Sequence, residues 1–87
     1  MNDVSDLFAR LPEGWSVVEY DGRRYAATRT VHGDGRSESI LAEELGGRDQ
    51  ISANLYRVDG EDVLKPCEMP AEKVLGFLEG LAPAGGA

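Results

Sequence analysis

The chain has 87 residues, 41% hydrophobic and 29% charged, with a formal net charge of −7. That is one small domain of ordinary globular composition, without any apolar run near the roughly 20 residues of a membrane-spanning helix. The acidic excess disfavours nucleic acid and anionic lipid as partners, and the single cysteine excludes an internal disulfide.

The first residues, Met1–Asp6, are polar and acidic, which predicts no signal peptide and a cytoplasmic location. Val4, Leu7, Phe8 and Leu11 then recur at i, i+3, i+4 and i+7, the spacing of one face of a short helix. Asn2 or Asp3 stands where an N-cap belongs, and Asp6 complements the positive end of the dipole. Pro12 and Gly14 stop the helix. So short a helix is marginal alone in water and must dock on something.

Trp15–Tyr20 is rich in β-formers and ends at Asp21-Gly22, a strong two-residue hairpin signal. Arg23–His32 is the returning strand. Tyr25, Ala27 and Val31 share one of its faces; Arg24, Thr28 and Thr30 share the other. Arg29 falls on the Tyr25 face and spoils the alternation. Gly33-Asp34-Gly35 turns the chain again. The final glycines of successive turns, at positions 22, 35, 47 and 60, lie about a dozen residues apart, the length of one strand plus one tight turn.

Ser37–Leu45 is ambiguous. Ala42, Glu43, Glu44 and Leu45 favour helix by propensity, and Gly46 suits a helix C-terminus. As a strand, the segment puts Leu41 and Leu45 on one face and Ile40 and Ala42 on the other. Its place between two hairpin turns favours strand. Ile51–Val58 alternates more clearly, with Ile51, Ala53 and Leu55 opposed to Ser52, Asn54 and Tyr56. Asp59-Gly60 turns once more, and Val63-Leu64 makes a short strand before Pro66. Pro70 fits the first turn of a last helix. That helix, Ala71–Leu81, places Val74, Leu75, Leu78 and Leu81 on one face with Phe77 beside it. Gly76 and Gly80 cost it about 1 kcal/mol each relative to Ala, and permit close packing against a sheet.

The predicted fold is α+β: an N-terminal helix, an antiparallel meander of four to five strands and a C-terminal helix. Both helices cover one sheet face, with Trp15, Leu55, Val74 and Leu78 in the shared core. Residues 1–82 make a single domain and 83–87 a disordered tail.

No catalytic, metal or nucleotide motif stands out. His32 is the sole histidine and reads as a solvated turn residue. Cys67, the sole thiol, reads as a small residue between strand and helix; it is a candidate reactive thiol if the helix dipole acts on it. One His and one Cys do not furnish a usual zinc set. Asp59, Glu61 and Asp62 lack the calcium-loop pattern, and Gly33-Asp34-Gly35-Arg36 lacks the phosphate-loop lysine and the dinucleotide glycine spacing. Glu43 and Glu44 point to opposite faces of a strand and do not form an acid/base pair. Neither metal nor cofactor is therefore expected.

Candidate binding residues fall in two places. Arg23, Arg24, Arg29, His32 and Arg36, with Tyr25 among them, make one hairpin locally basic; the competing reading is cross-strand pairing with Glu19, Glu38 and Glu43. Ser52, Asn54, Tyr56 and Arg57 offer hydrogen-bonding groups, the first three on one strand face, which equally suits the solvated side of a sheet. The function expected is a small non-catalytic protein-binding or adaptor domain, acting through an open sheet face or edge. A homodimer is expected because small unstapled cores gain stability by association, and edge strands offer free backbone groups. Alternatives are an accessory nucleic-acid-binding protein using the 23–36 hairpin, and a thiol-based role through Cys67.

Overall fold

A computed structural model describes residues 4–84 of the chain. Helix α1 spans Val4–Phe8 and is followed by β1 (Gly14–Tyr20), β2 (Arg23–His32), a short turn at Gly33–Gly35, β3 (Ser37–Glu44), β4 (Gln50–Val58), β5 (Glu61–Pro66), α2 (Ala71–Gly80) and β6 (Ala82–Pro83). The fold is α+β, with the six strands in one antiparallel sheet of order β5-β4-β3-β2-β1-β6. The caps expected at Asn2 or Asp3, and residues 85–87 of the expected tail, lie outside the described residues.

The turns follow from their chemistry. Asp21 and Gly22 have φ of 54° and 76°, and Asp59 and Gly60 have 51° and 79°. Positive φ at both central residues is the geometry whose twist matches that of the flanking strands. Ser37–Glu44 is a strand, against the helical propensity of its last residues. Pairing on both sides decides it: Ala42 stands opposite Ala27 on β2 and Ile51 on β4, and burial between neighbours outweighs intrinsic preference.

Two expectations are corrected. The sheet has six strands rather than four or five, because the chain leaves α2 and pairs Ala82 with Glu19 and Pro83 with Val18. Proline is tolerated there because the strand is at the edge. Pro83 pairs with Val18 at this edge. Trp15 is not in the core; it is 69% exposed. The parity of β1 explains this: Val18 points inward, so Ser16 does too, and Trp15 must point away.

One core is shared by both helices and one face of the sheet. Leu7, Phe8 and Leu11 from the first helical segment and Val74, Phe77, Leu78 and Leu81 from the last meet Val18, Tyr25, Ile40, Ile51 and Leu55. Ala27, Ala42 and Ala53 are also buried, and their small side chains leave room for the helices. Leu55, Val74 and Leu78 are thus where the sequence pattern puts them. A tilted aromatic group, Tyr20, Tyr25 and Phe77, holds α2 down, with Phe77 5.3 Å from the Tyr20 ring and 5.2 Å from Tyr25. Gly80 gives Tyr20 its space: a Cβ at position 80 would stand 2.9 Å from a ring carbon.

Candidate functional site

The sheet has a second face, with neither helix on it. Register assigns its residues to transverse rows. One row runs Trp15–Thr28–Leu41–Ser52 across β1 to β4. On one side of it lies Val17–Ala26–Glu43–Gln50; on the other, Thr30–Ser39–Asn54–Lys65 and then His32–Ser37–Tyr56–Val63. The first row has no charge; Glu43 and Lys65 stand in the others, and Glu19, Arg24 and Glu61 lie beyond them on the same face. Trp15 at 69% and Leu41 at 38% are the exposed apolar groups of the central row, and Tyr56 and Val58 are exposed farther along β4, beyond Asn54. Trp15 and Leu41 are held open to water two strands apart on this face, with Thr28 between them, and each would lose unfavourable hydration if covered.

The covered face carries the ionisable chemistry, in two clusters at its opposite ends. In the first, Glu38 is 4% exposed and sits between two arginines. Arg29 Nε donates to Glu38 Oε1 at 2.7 Å, and Arg57 Nη2 to Oε2 at 2.6 Å. The remaining donors reach other elements. Arg29 Nη1 donates to the Leu11 carbonyl at 3.0 Å, and Arg57 donates to the Gly35 carbonyl and to Ser5 Oγ. Burial alone would raise the Glu38 pKa, but hydrogen bonds and charge from Arg29 and Arg57 outweigh it and hold the carboxyl below its usual value. This cluster ties α1 and the Gly33–Gly35 turn to three strands.

The second cluster pins α2. Tyr25 donates its hydroxyl to Asp49 Oδ2 at 2.7 Å, and Lys73 of α2 donates to Asp49 Oδ1 at 2.6 Å. Hydrogen bonds from Lys73 and Tyr25 keep Asp49 below its usual pKa against the opposing effect of burial. Burial, and then the bond to Asp49, push the Tyr25 phenol up to about 12. Arg10 closes the other end of the same helix, donating from Nε to the Leu78 carbonyl at 2.8 Å and from Nη2 to the Leu81 carbonyl at 3.2 Å. These carbonyls are the orphan acceptors of a helix end.

The arginines of the 23–36 hairpin do not converge. Arg29 is turned inward onto Glu38. Arg23 leans toward Glu44 at 3.8 Å from the rim of the covered face. Arg24 lies on the open face opposite Glu19, and Arg36 is exposed beside the turn. His32 is also on the open face, 3.4 Å from Ser39 Oγ. Asn54 and Tyr56 share that face two residues apart, as their alternation predicts. Cys67 is exposed just past β5, its N–H bonded to the Ser52 carbonyl at 3.0 Å and its sulfur 3.9 Å from the Asn54 amide nitrogen. Glu68, Met69 and Pro70 separate it from the start of α2. Among the described residues no group of three or more His, Cys, Asp or Glu is placed to hold a metal ion, and no helix is long and apolar enough to cross a membrane.

The sequence pattern does not mark Trp15 as a surface group or Asp49 as a junction. The out-of-phase Arg29 was a visible sign of the Glu38 cluster; Asp49, in a loop, left none. Comparison with known protein families, curated proteins and solved structures finds no match to this chain.

Proposed function

We propose that this chain is a non-catalytic protein-binding or adaptor domain whose working surface is the uncovered face of the sheet. The observation that carries the reading is the row Trp15–Thr28–Leu41–Ser52: uncharged on a chain of net charge −7, with Trp15 and Leu41 exposed. Interface centres are depleted in charge and enriched in aromatic residues, and Trp15 meets both criteria. The perturbed ionisable groups, Glu38, Asp49 and Tyr25, support it from the other side. Each is engaged with partners that anchor helices, rather than held in a cleft.

The face is favoured over the edges. The β5 edge carries Glu61, Asp62, Lys65 and Pro66, and the opposite edge is blunted by a two-residue strand containing Pro83. Charge, proline and short length are the devices that discourage strand addition. The test is capture of protein from the source lysate on the immobilised domain, comparing the wild type with Trp15→Glu and with Arg36→Glu as a surface control. A partner retained by the wild type and the control, and lost on Trp15→Glu, is expected. Equal retention by all three would remove the face from consideration.

A further inference from the structure

We draw no further inference here: the strongest candidate, the uncovered sheet face around Trp15 and Leu41, carries none because nothing in the structure shows what covers it.

Discussion

Replacing Glu38 with glutamine removes one charge and keeps the shape. In the folded protein Glu38 accepts from Arg29 at 2.7 Å and Arg57 at 2.6 Å, and its side chain is 5% exposed. Hydrogen bonds to a charged group contribute about 1.5–3 kcal/mol each, and glutamine retains a neutral acceptor for one of them. Both arginines would be left without their counter-ion, and breaking a buried ion pair costs about 3–5 kcal/mol. Water reaches Arg57, whose side chain is 28% exposed, so the lower end applies and a loss of about 3 kcal/mol is expected. An 87-residue domain is stable by roughly 4–13 kcal/mol, so this is a substantial fraction. The melting temperature should fall by roughly 12–24 °C. Urea unfolding followed by circular dichroism measures the change, with the slope m expected to stay constant. The acid limb gives a second reading. Folded Glu38 binds its proton less tightly than the free carboxyl at 4.5. Its contribution is therefore fully present above that pH and lost as pH falls through the lower folded value. Glu38→Gln should flatten stability against pH in that window. A loss under about 1 kcal/mol, or an unchanged acid limb, would refute the assignment of the cluster as the clasp between α1 and the sheet.

Tyr25 should produce the opposite limb. Its phenol is raised to about 12 from 10.0, so the stability it contributes is complete below pH 10 and is lost as pH rises toward 12, by about 2–3 kcal/mol. Tyr25→Phe should abolish that alkaline slope in denaturant titrations. The two helical glycines should respond with opposite signs. A Cβ at Gly76 would find only the Tyr20 hydroxyl at 3.6 Å, so Gly76→Ala should stabilise by about 0.5–1 kcal/mol; at Gly80 the ring carbons lie at 2.9 and 3.1 Å, so Gly80→Ala should destabilise, both read from urea midpoints. Trp15→Ser should leave monomer stability within about 0.5 kcal/mol, measured at a concentration below any association, because the indole contributes nothing to the core.

Legibility in the sequence follows the range of the interaction. The Asp-Gly turns are local: two residues determine a twist, and the strand limits on either side follow from them. Leu55, Val74 and Leu78 were readable because strand and helix periods are regular. Trp15 is hydrophobic yet faces outward by the parity of its strand; Val17 and Val18 are adjacent, and only the partner strand decides which points inward. Arg29 was visible as an alternation fault, with Glu38 among its possible partners, but Arg57 was not, since a cluster across β2, β3 and β4 depends on register rather than on spacing. Ala82–Pro83 is too short to carry any period. Its pairing depends on where α2 delivers the chain after crossing from the β5 edge to the β1 edge.

The inward turning of the basic side chains has an electrostatic consequence outside. Arg10, Arg29, Arg57 and Lys73 are all committed to carbonyls or carboxylates of the fold. The outer surface is therefore dominated by acidic groups, including Glu13, Glu72 and Glu79, with Glu19, Glu43 and Glu61 on the open face around its uncharged central row. Two such molecules repel at long range, and an association through the open face would rest on contact between its uncharged groups. Salt screens the repulsion, with a Debye length of about 10 Å at 0.1 M, and leaves the apolar contact intact. Self-association should therefore strengthen as salt rises from low values. Binding of nucleic acid through the arginine hairpin would do the reverse, because counterion release makes it weaken steeply with salt. The sign of the salt dependence, measured by sedimentation of the chain alone and with a single-stranded oligonucleotide, separates the two. Dimerisation that weakens with salt would show that charge pairs, not the Trp15–Leu41 row, hold the copies together.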